Sequence, residues 1–178
     1  MISGLGYLHS LGVAHLDLKL DNLVLDSNFQ LRVIDFEGSY ILGDESLLSR
    51  GTPCYRAPEL LNLSLHDPMK ADIFSSAIIL FIMLNGKNLP YSEGTLIEGT
   101  DLLELLMSSP REFWIFHEEK LDVKFASREF KDLFEGMTRN AENRWGLEEI
   151  EACEWFNGEI YSKSELREEM SEIFRTYN

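Results

Sequence analysis

The stretch His15-Leu-Asp-Leu-Lys-Leu-Asp-Asn22, followed closely by Asp35-Phe-Glu-Gly38, decides how this chain folds. Between the two stretches, an apolar run at 23–25, a polar run at 26–28 and a β-branched run at 31–34 form the pattern of a β-hairpin. Antiparallel strands return the chain to its start, so we expect Asn22 and Asp35 to face one pocket.

Most of the remaining chain has helical patterns. The run from Ile73 to Leu84 is apolar on nearly all sides, which predicts a central helix surrounded by protein. It is too short, and carries too many serines, to span a membrane. Two amphipathic helices are predicted downstream, and Ser162 with Glu165 fits a capping box for the second, although Ser164 is a competing cap. Their apolar positions are Phe130, Leu133, Phe134 and Met137 in one, and Leu166, Met170, Ile173 and Phe174 in the other. From Pro110 to Lys124 we find no clear period. The fold class we expect is mainly α with a short β-hairpin.

Composition excludes several classes of protein. The 178 residues include 31 acidic and 16 basic side chains, and the resulting net charge of −15 argues against binding to nucleic acid or to an anionic membrane. Two cysteines are too few for a disulfide scaffold, and no signal peptide is visible. We therefore expect a cytoplasmic protein, with a nuclear location as the alternative.

The residues around the hairpin suggest phosphate chemistry. An amide oxygen from Asn22 and a carboxylate from Asp35 are hard donors of the kind that hold Mg²⁺. Asp17 and Lys19 lie on the loop that leads into the hairpin. A carboxylate, a cation and metal ligands in one pocket are the parts that phosphoryl transfer requires. Taken singly, each residue is better explained as a surface or turn residue.

Together they resemble the protein kinase family. Residues 15–22 resemble its H-R-D-L-K-x-x-N catalytic loop, and residues 35–38 resemble its D-F-G metal-binding motif. Gly51 to Glu59 resembles the G-T-x-x-Y-x-A-P-E end of the activation segment, and Asp72-Ile-Phe-Ser75 the start of the central helix. The resemblance implies a kinase domain, C-terminal lobe, over residues 1–157, with the catalytic loop at 15–22 and the activation segment at 35–59. Residues 158–178 would be an acidic amphipathic tail.

The resemblance also implies a role for each site residue, with ATP and Mg²⁺ as cofactors and protein Ser/Thr hydroxyls as substrates. Thr52 would hydrogen-bond Asp17 and Lys19, and Arg144 would pair with Glu59. The implied catalytic residues are Asp17, Lys19 and Thr52; the Mg²⁺ ligands are Asn22 and Asp35; the ATP contacts are Asn22, Val24 and Asp35; and the structural residues are His15, Phe36, Glu59, Asp72 and Arg144.

Three departures from the family pattern matter. The 178 residues contain no glycine-rich loop and no recognisable strand lysine, so we expect the N-lobe to be missing and the floor at 23–25 to be exposed unless a partner chain covers it. Leu16 replaces the arginine that receives an activation-loop phosphate, which predicts weak dependence on loop phosphorylation. Glu37 either replaces the D-F-G glycine or is inserted before Gly38.

Two functions remain open at this point. The chain is part of a serine/threonine protein kinase, with little activity expected from these residues in isolation. Alternatively, it is a non-catalytic, pseudokinase-like interaction module, which the missing lobe, Leu16 and Glu37 favour.

Overall fold

A computed structural model describes residues 1–44, 51–60, 67–86, 88–92, 94–121 and 126–177. The strands are β1 (Val13–Ala14), β2 (Leu23–Leu25), β3 (Leu31–Val33) and β4 (Tyr40–Ile41), and single 3-10 turns span Leu20–Asn22 and Pro58–Leu60. The helices are α1 (Ile2–Ser10), α2 (Pro68–Leu84), α3 (Leu102–Ser108), α4 (Pro110–Lys120), α5 (Arg128–Thr138), α6 (Leu147–Ala152) and α7 (Lys163–Tyr177).

Helix α2 is the centre of the fold, as predicted. It begins with Pro68 in the first turn, and the Asp67 side chain caps it by accepting a 2.9 Å hydrogen bond from the Met69 N–H. Phe74, Ile78 and neighbouring residues on every side of the helix are fully buried. Within the described part of the chain, no helix has the length and apolar character needed to cross a bilayer.

The core beside α2 is aromatic and includes a helix that the sequence pattern concealed. Phe81 of α2 packs near Trp114 of α4 and Phe134 of α5, with ring centroids 6.1 and 5.4 Å apart. Residues 110–120 are helical, which corrects the prediction of no regular period there; residues 122–124 lie outside the described residues. The pattern was hidden because the buried face of α4 includes a polar residue, His117, beside Phe113 and Trp114.

The predicted hairpin is present. Strands β2 and β3 pair antiparallel with Leu23 opposite Val33 and Leu25 opposite Leu31. The N–H of Ile34 donates a 3.0 Å hydrogen bond to the carbonyl of Asn22, which extends the pairing to the base of the hairpin. The hairpin therefore brings Asn22 and the residue before Asp35 together, as the antiparallel geometry requires.

A second, smaller sheet was not predicted. Strands β1 and β4 pair antiparallel, with Val13 opposite Ile41 and Ala14 opposite Tyr40. Strands of two residues have too few positions to produce an alternating pattern, so the sequence gives no sign of them. This sheet ties the chain before residues 15–22 to the chain after residues 35–38.

The two amphipathic helices differ in how completely their apolar faces are buried. In α5, Phe130, Leu133, Phe134 and Met137 are all buried, as predicted. In α7 the prediction of one buried face is only half right, because Leu166 and Met170 are partly buried while Ile173 and Phe174 remain 42% and 48% exposed. The capping box of α7 is formed, with the Ser162 N–H donating to Glu165 and the Glu165 N–H donating to the Ser162 hydroxyl.

Candidate active site

Asp72 of α2 holds the 15–22 loop from below. Its carboxylate is fully buried and accepts hydrogen bonds of 2.8 Å from the backbone N–H groups of both His15 and Leu16. The side chain of His9 lies on the same carboxylate, with Nε2 2.9 Å from Oδ2. Leu16 has a left-handed backbone, with φ of 61°, which this pair of hydrogen bonds helps to hold. The rigid core helix thus fixes the start of the loop.

His15 connects this loop to residues 34–36. Its Nδ1 accepts a hydrogen bond from the Asp17 N–H at 3.3 Å, so its Nε2 carries the proton that is donated to the Ile34 carbonyl at 3.0 Å. The His15 ring also packs on Phe36, with centroids 5.0 Å apart. His15 and Phe36, two of the five residues implied to be structural, are therefore in direct contact.

Asp17, Lys19 and Thr52 form a closed triangle of hydrogen bonds. Lys19 Nζ donates to Asp17 Oδ2 at 2.7 Å and to Thr52 Oγ1 at 3.1 Å. The Thr52 hydroxyl completes the triangle by donating to Asp17 Oδ1 at 2.6 Å. All three residues are partly exposed, which leaves the carboxylate and the ammonium group accessible from solvent.

The electrostatics of the triangle keep both charged groups ionised. Partial burial by itself raises the pKa of Asp17, but the hydrogen bonds from Lys19 and Thr52 outweigh that effect, so the net pKa lies below the ordinary value. The hydrogen bond to Asp17 raises the pKa of Lys19, and the charges of Asp17, Asp35 and Asp21 add to the increase. Asp35 is thus close enough to Lys19 for their charges to interact.

Gly51 allows Thr52 to reach the loop. Its φ is 66°, and a Cβ at this position would lie 2.7 Å from the carbonyl oxygen of Leu16. Any side chain would therefore push residues 51 and 52 away from the 15–22 loop. The close backbone approach explains why glycine precedes Thr52.

Asn22 and Asp35 provide the oxygen donors predicted for a metal. The Asn22 side chain is 4% exposed, and its Nδ2 donates to the Asp17 carbonyl at 2.9 Å, which leaves Oδ1 as the acceptor available to a cation. Asp35 is exposed and has a left-handed backbone with φ of 66°. Among the described residues no cluster of three or more His, Cys, Asp or Glu side chains suits a metal. An amide oxygen and a carboxylate fit Mg²⁺, which keeps several of its water ligands.

Glu59 and Arg144 lock the end of the 51–59 segment to the core. The guanidinium group of Arg144 binds the carboxylate in a bidentate arrangement, with Nη1–Oε1 and Nη2–Oε2 distances of 2.5 and 3.0 Å. The Arg144 side chain is fully buried, lies over the Phe74 ring at 5.0 Å and also donates to the Lys70 carbonyl. Lys70 in turn donates to the Arg144 carbonyl, a contact that no residue pattern predicted.

Comparison with known proteins identifies the family. The family described as "Protein kinase domain" matches residues 1–156. The chain belongs to the protein kinase family.

Several serine/threonine kinases are similar to this chain. CBL-interacting serine/threonine-protein kinase 2 of Arabidopsis thaliana is 33% identical over 174 residues, which cover 94% of this chain and 35% of the relative. CBL-interacting protein kinase 15 of Oryza sativa subsp. japonica is 35% identical over 162 residues, covering 88% of this chain and 34% of the relative. CBL-interacting protein kinase 26 of the same species is 46% identical over 103 residues, 55% of this chain and 21% of the relative. The chain spans about a third or less of the length of these relatives.

Leu16 lies in the segment that resembles the kinase catalytic loop, at the position where the family usually has arginine. Its side chain is only 2% exposed and belongs to the hydrophobic core. The side chain at this position therefore adds to packing and offers no cation to an activation-loop phosphate. Ser46 and Ser49, two further hydroxyl residues of the 35–59 segment, lie outside the described residues.

Glu37, the unusual residue of the kinase D-F-G-like motif, is exposed in a turn. The Ser39 N–H donates to the Phe36 carbonyl at 3.1 Å, so Glu37 and Gly38 lie at the centre of that turn. The left-handed residue of the motif is Asp35, and Glu37 lies outside the left-handed region. Glu37 therefore avoids the backbone strain that it would incur if it occupied a glycine-only conformation.

The floor of the expected nucleotide site is apolar and open. Val24 and Leu25 are 39% and 47% exposed, as predicted, whereas Leu23 is partly buried against the core. Phe36 is 45% exposed and borders a cleft of about 270 Å³ that is also lined by Met1, Tyr7, Leu31 and Val33. The hairpin and Phe36 therefore present an exposed apolar surface.

Proposed function

We propose that this chain carries the catalytic loop and activation segment of a serine/threonine protein kinase, which transfers the γ-phosphoryl group of ATP to Ser or Thr hydroxyls of protein substrates. The observation that carries the proposal is the triangle of Asp17, Lys19 and Thr52, which joins the two segments. The family membership and the names of the relatives support the same reaction class.

Each member of the triangle has a distinct part in the proposed reaction. Asp17 accepts a hydrogen bond from the substrate hydroxyl and receives its proton as the oxygen–phosphorus bond forms and the bond from the γ-phosphorus to the β-bridging oxygen breaks. The raised pKa of Lys19 keeps it cationic, so it offsets the negative charge on the transferred group. Thr52 orients the Asp17 carboxylate through its hydroxyl.

The remaining proposed contacts are those with Mg²⁺ and ATP. Asn22 and Asp35 would hold Mg²⁺, which when bound neutralises charge on the phosphates. Val24 would lie beneath the adenine ring, where it contributes exposed apolar surface. His15, Phe36, Asp72, Glu59 and Arg144 would keep these groups in position through the contacts described above.

Nucleotide binding is tested by thermal unfolding with ATP and Mg²⁺. A ligand at 100 times its Kd stabilises a protein by about 2.7 kcal/mol, so we expect a clear upward shift in Tm for the unaltered chain. Asp35→Asn should reduce the shift, whereas the exposed carboxylate variant Asp132→Asn, remote from the site in sequence, should retain it. A Tm unaffected by Mg-ATP would contradict nucleotide binding by these residues.

A non-catalytic interaction module is the second candidate. Exposed Glu37, two residues after Asp35 in the chain, favours it, because a second carboxylate near the proposed Mg²⁺ site adds negative charge that repels the phosphates of ATP. In this case the chain would keep the kinase fold and bind a protein partner. For the 178 residues on their own we expect no measurable phosphate transfer, so only a longer protein separates the two candidates.

A further inference from the structure

The C-terminal helix α7 contacts the tip of the β2–β3 hairpin, outside the part of the chain that matches the kinase family. The ring of Phe174 stacks on Phe29, with centroids 5.7 Å apart and an interplanar angle of 27°. About two turns earlier in α7, Arg167 Nη2 lies 3.5 Å from Asn28 Oδ1. Two residues of the helix thus meet two adjacent residues of the hairpin.

The hairpin tip is organised to present this contact. Oδ1 of Asp26 accepts hydrogen bonds from the Asn28 and Gln30 N–H groups at 2.8 and 3.0 Å, and Oδ2 accepts from Arg32. Phe29 has a left-handed backbone with φ of 60°, a conformation that few bulky residues adopt. The turn therefore holds the Phe29 ring in a defined place, where Phe174 packs on it.

The hairpin has little support of its own. Each strand has three residues, and Val24, Leu25 and Leu31 are 39%, 47% and 37% exposed. Two-stranded hairpins of this size are marginally stable unless they pack on another element. The base is held by the hydrogen bond from the Ile34 N–H to the Asn22 carbonyl, and the contact with α7 supports the opposite end.

We propose that α7 is a reversible clasp on the hairpin tip, and that its docking restrains the base of the hairpin, where Asn22 and Asp35 lie. Reversibility follows from the exposure that remains at the contact: Ile173 and Phe174 are still 42% and 48% exposed, and the hydrogen bond between Arg167 and Asn28 is long, at 3.5 Å. The statement that Asn22 and Asp35 serve a nucleotide site rests on the proposed function, whereas the docking of α7 on the hairpin tip does not. Loss of the stack should raise the opening equilibrium of the hairpin about 2- to 10-fold, the range typical of aromatic pairs.

The test is amide hydrogen exchange of the full chain without nucleotide, followed at Ile34 and through residues 23–33 by NMR. We expect Phe174→Ala to accelerate exchange at Ile34 about 2- to 10-fold. Ile173→Ala truncates a neighbouring side chain of similar exposure and should leave the exchange rate at Ile34 unchanged. Phe174→Tyr keeps the aromatic ring and should preserve the wild-type rate. In a Phe29→Ala background, Phe174→Ala should have no further effect, since the stack is already lost.

Three results would overturn the clasp. These are unchanged exchange at Ile34 in Phe174→Ala, equal acceleration in Ile173→Ala, and equal acceleration of the buried α2 amides such as Ile78, which would mean global destabilisation. Because no nucleotide is present, failure of the clasp is distinguishable from failure of the proposed kinase function, which is measured by Mg-ATP binding and phosphate transfer.

Discussion

The hydroxyl of Thr52 donates a 2.6 Å hydrogen bond to Oδ1 of Asp17, joining the 51–59 segment to the 15–22 loop although the two residues are 35 positions apart in the chain. Lys19 contacts both partners, so the three side chains order one another. The position of this bond depends on Gly51, whose backbone lies against the Leu16 carbonyl. The segment and the loop are therefore coupled through both side chains and backbone.

Removing the Thr52 hydroxyl should destabilise the chain. Thr52→Val preserves shape but leaves Asp17 with one hydrogen-bond donor fewer, and we expect the free energy of unfolding to fall by about 1.5–3 kcal/mol, as for bonds to charged groups. Urea unfolding measures the difference. Thr52→Ser, which keeps the hydroxyl, should remain within about 0.5 kcal/mol of the unaltered chain. Equal stability of Thr52→Val and Thr52→Ser would show that the bond contributes nothing.

The same variants should change the titration of Asp17. The hydrogen bonds from Lys19 and Thr52 lower the pKa of Asp17 in the folded chain. Ionised Asp17 therefore stabilises the fold at pH values above the pKa of the unfolded chain, and this stabilisation is lost as the pH falls through the folded pKa. We expect Thr52→Val to raise the pKa of Asp17 and Thr52→Ser to leave it low. NMR titration of the carboxyl carbon measures both, and an unchanged pKa in Thr52→Val would contradict the assigned cause.

Two helical glycines should respond oppositely to alanine. At Gly136 in α5 a Cβ would lie 2.2 Å from the Trp145 ring, whereas at Gly4 in α1 nothing lies within 4 Å of it. Gly136→Ala should cost about 1–3 kcal/mol through overpacking, despite the better helix propensity of alanine. Gly4→Ala should be neutral or stabilising by up to about 1 kcal/mol. Urea unfolding distinguishes them, and equal stability of the two variants would contradict the close packing at Gly136.

His117 should make stability depend on pH. Burial lowers the pKa of this histidine below 6.5, although the Phe113 carbonyl opposes the effect. The unfolded chain then binds a proton that the folded chain does not, so stability is complete above about pH 6.5 and falls with pH until the folded pKa is reached. Within that window the loss approaches about 1.4 kcal/mol per pH unit.

The contribution of His117 is isolated by comparison with His117→Phe. When the pH is lowered from 7.5 to 5.5, we expect the free energy of unfolding of the unaltered chain to fall by more than that of His117→Phe. The remaining histidines are common to both chains, so their titration cancels to first order. A difference independent of pH would mean that His117 titrates alike in both states.

The sequence was most informative where one local property dominates. The uniform apolar run from Ile73 to Leu84 predicted the buried helix α2, and an apolar run and a β-branched run on either side of a polar turn predicted the hairpin. Helix α4 was missed because His117 is a polar residue inside an aromatic cluster. The β1–β4 pair was missed because two residues cannot show a period.

Contacts between distant segments were beyond what residue patterns can predict. The resemblance to kinases implied the contacts of Thr52 and Arg144. It did not explain the glycine at position 51, which is required because the backbone there lies close to the Leu16 carbonyl. The bond between His9 and Asp72 depends on how α1 packs beside α2. The amphipathic pattern predicted the apolar face of α7. It did not predict the contact of Phe174 with Phe29, because that contact depends on where the hairpin tip lies.

The most direct test of the proposed function is phosphate transfer by a kinase domain that contains these residues. We would join the 178 residues to the N-terminal part of the catalytic domain of CBL-interacting serine/threonine-protein kinase 2 and measure transfer from labelled ATP to a Ser/Thr peptide. We expect transfer that Asp17→Asn abolishes and that the control Asp132→Asn retains. A folded chimera that binds Mg-ATP but transfers no phosphate, or one in which Asp17→Asn is fully active, would contradict the kinase function.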